Sequence, residues 1–478
     1  MGESLWIVDA CARETMLFAG IGLLIGGIDD LVVDIVFVLR MIWLGPSPLP
    51  LVTDLGAAPS PPPPLLPPSP SRAGRLAVFV PAWDEAEVIG AMLASAVARF
   101  DHDDYLILVG LYPNDRATID AAARVAAGDP RIRLVIGWHD GPTTKAQCLN
   151  TVWRALVRAD AWDGRRTRAV VLHDAEDLVH PRELRVFDAM LDRHAVVQLP
   201  VMPLVKPGSP FVSGHYADEF ALAHGVQLPV RTAIGAGMPL AGTGCAVAPW
   251  IVARLAKVRG GDPFDPVSLV EDYELGLRIA ELGGRGLFAR VADAEGGLVA
   301  VRAYFPATLT AAVRQKSRWI TGIALAGWDR TGWARPLAVI DHWMRARDRR
   351  APIAVLVLVS AYAAMLAWLA SAALHGWTGA ATATALTGPV RMLLPINAAL
   401  LVWRIAVRAA CTGHAYGWRQ AMLSAPRIVV GNVVLLLAAG RAAWRYAGML
   451  RGIAPAWDKT AHSFPDEMAH DPDMALMT

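Results

Sequence analysis

The sequence predicts an α/β domain carried by α-helical transmembrane segments. Three observations lead there. Between residues 75 and 200, short apolar runs alternate with stretches of helical spacing, the pattern of a parallel sheet covered by helices. Elsewhere the apolar runs lengthen toward the roughly 20 residues that cross a bilayer. Hydrophobic residues make up 54% of the 478 positions and mean hydropathy is +0.37, both high for a soluble protein. A net charge of +2 with 18% charged residues gives no basic field, so no nucleic-acid partner is expected. The four cysteines, Cys11, Cys148, Cys245 and Cys411, are scattered without metal or redox spacing and point to a reducing compartment.

Residues 1–44 read as an N-terminal membrane helix. Glu3 and Asp9 make its start acidic, which excludes a signal peptide. Asp29, Asp30 and Asp34 interrupt the apolar run. Either the span ends near Ile28, or it continues and Asp30 and Asp34, one helical turn apart, face protein or water rather than lipid. Residues 45–74 are proline-rich, with four prolines in a row at 61–64, and read as a stiff extended linker.

The α/β domain is expected over residues 75–330. A buried strand at 75–80 leads into the loop Pro81-Ala82-Trp83-Asp84-Glu85 and a helix at 88–98. A second strand, 105–111, ends at Tyr112-Pro113-Asn114-Asp115. A helix at 117–127 and a third strand at 133–136 follow. The apolar run 169–172 ends abruptly in His173, Asp174, Glu176 and Asp177. Crowded carboxylates repel, and burial raises their pKa values; a hard divalent cation removes both problems. A solvated acidic turn is the competing reading. The position decides, because Glu85, Asp115 and the Asp174 cluster all sit at carboxyl ends of strands, where open α/β sheets bind ligands.

Lys145 opens a helix against its dipole, which suits an anion such as a phosphate at that N-terminus. Residues 198–201 close another strand, and Gly242 and Gly244 form a turn that lets backbone approach a ligand. Residues 268–282 read as a helix with Ser268 and Glu271 as a capping box. Asp272 is not needed for that cap and is free to act as a general base. In the helical stretch 313–319, Gln315, Arg318 and Trp319 share one face.

Residues 331–410 carry two transmembrane helices. Four arginines, Arg345, Arg347, Arg349 and Arg350, precede the first and place that end in the cytoplasm. The apolar stretch at 426–440 is short, and Arg427, Arg441 and Arg445 fall on one helical face. Residues 411–452 are therefore expected to form an amphipathic helix in the interface rather than a span. Residues 453–478 read as a loose cytoplasmic tail.

This order of motifs resembles the processive membrane glycosyltransferases of family 2, which include cellulose, chitin and hyaluronan synthases. It is closest to a bacterial inner-membrane branch linked to phage adsorption, through Y-P-N-D, G-P-T-T-K-A, H-D-A-E-D-L-V-H-P, V-E-D-Y-E, R-Q-K-S-R-W and the late W-D-K-T-x-H-x-F-P at 457–465. The resemblance implies a GT-A fold with a Rossmann-like mixed sheet, and an inverting transfer from a UDP-sugar. It implies that Pro81, Ala82, Glu85 and Asp115 hold the uridine, that Lys145 touches the diphosphate and that Asp174 contacts the donor nucleotide. It puts Mg²⁺ or Mn²⁺ on Asp174 with Glu176 or Asp177, where the family has an aspartate. Asp272, beside Glu271, would be the catalytic base, and Gln315, Arg318 and Trp319 would position diphosphate and acceptor.

The implied product is an exported polysaccharide, with an N-acetylhexosamine as one candidate sugar. Single-sugar transfer to a polyprenyl phosphate, or a non-catalytic scaffold of an envelope export or phage-entry complex, are the alternatives. The implied partners are the UDP-sugar, a polysaccharide or lipid-linked acceptor, membrane lipid and an outer-membrane or periplasmic export partner. Relatives in that branch often carry a C-terminal cyclic-di-GMP-binding domain. The residues after 452 are too few for one, so any control by that nucleotide is expected to come from elsewhere.

Overall fold

The computed structural model describes residues 2–44, 74–293, 296–379, 388–453 and 462–465. The expected linker at 45–74 and most of the tail lie outside the described residues.

Helix α1 (Gly2–Leu44) is followed by β1 (Arg75–Pro81), α2 (Ile89–Arg99), β2 (Tyr105–Leu111), α3 (Arg116–Ala126) and β3 (Ile132–Ile136). Next come α4 (Lys145–Asp163), β4 (Thr167–Leu172), α5 (Glu183–Met190), β5 (Val196–Gln198) and β6 (Val201–Leu204). Then α6 (Val212–Leu222) runs through a π-helical turn (Ala223–Gln227) into α7 (Leu228–Ala233). The domain finishes with β7 (Cys245–Val247), α8 (Pro249–Arg259), α9 (Glu271–Glu281), β8 (Gly286–Phe288), β9 (Val301–Tyr304) and α10 (Leu309–Trp319). A second π-helical turn (Ile320–Leu325) leads to α11 (Ala326–Thr331), α12 (Val339–Asp348), α13 (Ala351–Thr378), α14 (Pro389–Tyr416) and α15 (Trp418–Leu450).

Seven strands form one sheet in the order β3-β2-β1-β4-β7-β5-β8. The expected parallel pairing holds from β3 to β4, but β7 runs antiparallel to both its neighbours, so the sheet is mixed. β6 pairs with β9 in a small separate sheet, because Leu199 and Pro200 break the strand that the sequence reads as continuous.

Alternation along β1 feeds two cores. Leu76, Val78 and Val80 pack against Ile89, Met92 and Leu93 of α2; Ala77 and Phe79 pack against Leu149 and Val152 of α4 and Ile251 of α8. Each such aliphatic side chain fully buried stabilises by about 1.5–3 kcal/mol. α4 starts where it does because Thr144 and Gln147 form a reciprocal capping box, and it stops at Gly164, whose φ of 63° suits glycine.

Among the described residues, three helices are long and apolar enough to cross a membrane: Ala351–Thr378, Arg391–Tyr416 and Trp418–Leu450. The first two are the expected pair, the second reaching past residue 410. α1 packs along α13 and α14, and Gly22 permits that approach, since a Cβ there would lie 2.4 Å from Val357. The three aspartates that interrupt its apolar run face protein. Asp30 meets Arg347 at 2.9 Å, Asp29 meets Arg350 at 3.1 Å, and Asp34 accepts from the Trp403 indole at 2.9 Å.

The last helix corrects the expectation for residues 411–452. It is not a short apolar stretch but a single helix of 33 residues. Arg427 does not lie on a headgroup face with Arg441. It is fully buried against α6, with Nη1 3.0 Å from Asp218, which also meets Arg408 at 3.2 Å. Val434 packs with Tyr216 and Ala312, Ala438 and Ala442 pack with Ile320, and the Tyr446 hydroxyl donates to Asp329 at 2.7 Å. This helix therefore lies along the α/β domain over most of its length.

Removing one member of a buried ion pair costs roughly 3–5 kcal/mol when the partner charge is left unpaired. Arg408 still meets Asp218, so Arg427→Ala is expected to lower stability by less than that and to loosen α15, read as a lower unfolding midpoint in detergent and faster proteolysis after residue 417. An unchanged midpoint would show that the Asp218 cluster does not hold the helix.

Candidate functional site

The carboxyl ends of β1 and β4, the start of α9 and one face of α10 enclose a cleft of about 380 Å³. Of the residues named from the sequence, Pro81, Glu85, Lys145, Asp174, Glu176, Asp177, Glu271, Asp272, Gln315, Arg318 and Trp319 all line it. Ala82 and Asp115 do not. Ala82 is 2% exposed, with its N–H given to Gly110. Asp115 caps α3 through Thr118 N–H at 3.3 Å, and its other oxygen takes the Asp84 N–H at 2.5 Å. Asp84 stands at φ 55°, a conformation the Asp115 bond helps hold, so Asp115 shapes the loop carrying Glu85.

The wall beside that loop is built by pairing. Asn114 donates to Gly141 O and accepts from Gly141 N–H, both at 2.8 Å, which joins the β2 loop to the segment before α4. Lys145 is the first residue of α4, and its ammonium is claimed by three groups. It is ion-paired to Asp174, donates to Gly242 O at 3.3 Å, and stands 3.8 Å from Glu271. Burial disfavours its charge, but Asp174, Glu271 and Asp272 outweigh that and hold its pKa above the usual lysine range.

Below the acidic loop lies a buried network. His173 Nδ1 meets Asp177 Oδ2 at 2.9 Å and Nε2 meets Glu183 Oε1 at 2.6 Å. Asp177 Oδ2 also accepts from Asp174 N–H at 2.8 Å and from the Thr243 hydroxyl. Asp177 and Glu176 both line the cleft, but Asp177 is 1% exposed and its Oδ2 is engaged by this network, whereas Glu176 reaches across to His462. Burial opposes charge on His173, yet the two carboxylates beside it push its pKa up to about 10.

The capping box expected for α9 is absent. Ser268 Oγ donates to Glu274 at 2.7 Å, and the helix begins after Val270 with no side-chain cap. Glu271 is thereby left to the cleft, where burial raises its pKa to about 7 against the pull of Lys145. Burial likewise raises Asp272, again against Lys145. Gly242, at φ 79°, backs onto Asp272; a Cβ there would lie 2.6 Å from Oδ2. On α10, Gln315 Oε1 and Arg318 Nε are buried without a hydrogen-bond partner. Orphaned buried polar atoms are uncommon in folded proteins and call for a partner such as water, an ion or a ligand.

Sequence reasoning missed several lining residues. Trp83, edge-on to Tyr112 at 5.1 Å, was visible only as a loop residue. Lys206 follows β6, Tyr304 and Phe305 end and follow β9, and Thr308 caps α10. Above all, residues 462–465, expected in a loose tail, return to the cleft. His462 Nδ1 lies 2.9 Å from Glu85 Oε1 and its Nε2 lies 3.3 Å from Glu176 Oε1. Ser463 accepts from Lys206 at 3.1 Å, and Phe464 packs on the core that carries β1. The signal was the late H-x-F-P motif, noted only for its resemblance. Burial disfavours charge on both His462 and Glu176; against it, Glu176 and Glu85 push His462 up to about 9, while His462 pulls Glu176 down without cancelling the burial that raises it to about 8.

Comparison with known proteins follows the same outline. A family model described as "Glycosyltransferase like family 2" matches residues 73–322. The chain is 35% identical over 410 residues to the "Bacteriophage adsorption protein B" of Escherichia coli (strain K12), covering 82% of this chain and 55% of that protein. The "Bacteriophage N4 adsorption protein B" of Escherichia coli O157:H7 matches to the same extent. The chain thus spans about half the length of the curated relatives it matches. Among solved structures it is similar to a mannosyltransferase from Pyrobaculum calidifontis in complex with GDP-Man and Mn²⁺. That match has 18% identity, covers 92% of this chain and 99% of the other, and has a TM-score of 0.53, a likeness of fold that agrees with the GT-A expectation.

Glu183→Ala is expected to destabilise the domain by about 3–5 kcal/mol by stranding His173. His173 has a raised folded pKa, so its stabilising charge is fully present below pH 6.5 and lost as pH rises toward about 10. The gap between wild type and variant, read by thermal unfolding, should therefore be widest near pH 6 and narrow toward pH 10. A gap that widens with pH would contradict the charged His173.

Proposed function

The chain belongs to glycosyltransferase-like family 2, and on that premise we propose that it is an inverting, membrane-anchored hexosyltransferase that moves a sugar from a UDP-sugar to a growing exopolysaccharide. One observation carries this reading. Asp174, Glu176, Glu271, Asp272 and Lys145 meet in a cleft also lined by Gln315 and Arg318, each of which carries a buried polar atom without a hydrogen-bond partner.

In this reading Asp272 takes the proton of the acceptor hydroxyl as that oxygen attacks the anomeric carbon. The bond from that carbon to the diphosphate breaks, and its electron pair leaves with UDP. Burial makes Asp272 a stronger base than a solvated carboxylate. Glu271 shares the ammonium of Lys145 and keeps that side chain beside the diphosphate. Lys145 and Arg318 face the charge that grows on the leaving group. Asp174 and Glu176 suit Mg²⁺ or Mn²⁺, being oxygen donors on one wall of the cleft, while Asp177 is engaged with His173. Such a cation, when bound, supplies positive charge to the diphosphate. Pro81, Trp83 and Glu85 flank the nucleoside end, with Ala82 and Asp115 supporting the loop from behind. Trp319, Tyr304 and Phe305 offer aromatic faces to an acceptor sugar.

The domain lies on the cytoplasmic side of a bacterial inner membrane, with α1, α13 and α14 crossing. α15 stays at the interface. It begins where α14 returns, it touches the domain from Arg427 to Tyr446, and residues 462–465 after it are again at the cleft. With so few crossing helices, a polymer leaves through a periplasmic or outer-membrane partner. An N-acetylhexosamine is a candidate donor sugar.

The test is UDP release by the detergent-purified protein with a panel of UDP-sugars and Mn²⁺ or Mg²⁺. Asp272→Asn is expected to lower turnover about 10²–10⁴-fold. Equal turnover would remove Asp272 from the mechanism. No turnover with any donor would favour a scaffold, and a single-sugar product would favour transfer to a lipid carrier.

A further inference from the structure

Glu85, Glu176 and His462 come from three distant parts of the chain, the β1 loop, the β4 loop and the segment after α15. One potential ligand atom from each lies within 4.8 Å of the others. Two glutamates this close repel unless a positive charge stands between them. In this structure the His462 ring fills that role, with one nitrogen toward each carboxylate. Its placement is enforced rather than incidental. Ser463 is held by Lys206, Phe464 packs on the β1 core and Pro465 is buried. A second observation is independent of this trio: Gln315 and Arg318, which line the same cleft, keep the buried atoms Oε1 and Nε without a hydrogen-bond partner.

We infer that His462 is a ligand of the divalent cation, together with Glu176 and Glu85, so that the C-terminal segment completes the metal site. The inference rests on the transferase reading and deepens it. It moves Glu85 from the nucleoside to the metal, and it makes the site a mixed nitrogen–oxygen set. Mg²⁺ prefers oxygen donors alone, whereas imidazole suits the softer first-row ions. The chemistry therefore favours Mn²⁺ over Mg²⁺. It also gives the tail a purpose that its distance from the domain in sequence hides: the donor site is incomplete without residues 462–465.

The test uses the full chain in detergent, with Mn²⁺ itself as the probe. Binding is measured by titration followed with electron paramagnetic resonance, and ligation by the nitrogen coupling in pulsed spectra of the bound ion. Wild type is expected to show coupling to a histidine nitrogen that shifts on ¹⁵N-histidine labelling. His462→Ala should lose that coupling and bind Mn²⁺ at least about 10-fold more weakly, with an unfolding midpoint close to wild type. Glu176→Gln should also weaken binding while keeping the nitrogen coupling at saturating Mn²⁺. Undiminished Mn²⁺ affinity in His462→Ala, or no nitrogen coupling in wild type, would overturn the inference and leave the transferase reading standing. UDP release that persists in EDTA would remove the metal, and the inference with it, but not sugar transfer. Absence of both Mn²⁺ binding and UDP release would remove both.

Discussion

The structure depends on holding many carboxylates together in one place. Glu85, Asp174, Glu176, Glu271 and Asp272 line one cleft, and burial raises the pKa of Glu176, Glu271 and Asp272. Such crowding is tolerated because cations are built in around it. Lys145 bridges Asp174 and Glu271 from the start of α4, and His462 stands between Glu85 and Glu176. The arrangement is costly for stability alone, since a well-packed apolar cluster would do as well or better. It makes sense where charge must be stored for a charged ligand, and a nucleoside diphosphate with a divalent cation is such a ligand.

The rest of the fold keeps that charge in register. The two apolar layers fix β1 and β4 side by side, so their carboxyl ends deliver Glu85 and Asp174 to the same cleft. The His173 network then holds the acidic loop from below, and Gly242 allows the β7 approach to reach Asp272. On the membrane side, α10 and α15 share a packed seam, so the helix that presents Gln315, Arg318 and Trp319 to the cleft is braced by the last long helix. The α10 wall of the cleft and the long helix behind it are therefore one mechanical unit.

Much of this was legible in the sequence, for physical reasons. Strands buried on both faces announce themselves as unbroken apolar runs, and the residues at their ends fall where a parallel sheet opens. That places Glu85, Asp174 and Glu176 together, and Asp272 and Arg318 follow from helix periodicity. What was illegible depended on side-chain direction or long-range contact. Glu176 and Asp177 are neighbours in sequence, and only the His173 pocket shows which one it engages. Ser268 and Glu271 have capping-box spacing, yet Ser268 bonds Glu274 instead, because the backbone at Val270 is not set for the cap. Arg427 looked like a headgroup residue because its partner, Asp218, lies 209 positions away. His462 meets Glu85 across 377 positions, a distance at which no local pattern speaks.

If the carboxylate-lined cleft holds a nucleoside diphosphate through a divalent cation, calorimetric titration of UDP into the detergent-purified full chain should show it. Binding is expected with Mn²⁺ present and should be lost in EDTA and in the Asp174→Asn, Glu176→Gln double variant. Equal UDP affinity with and without the cation, unaffected by that double variant, would contradict it.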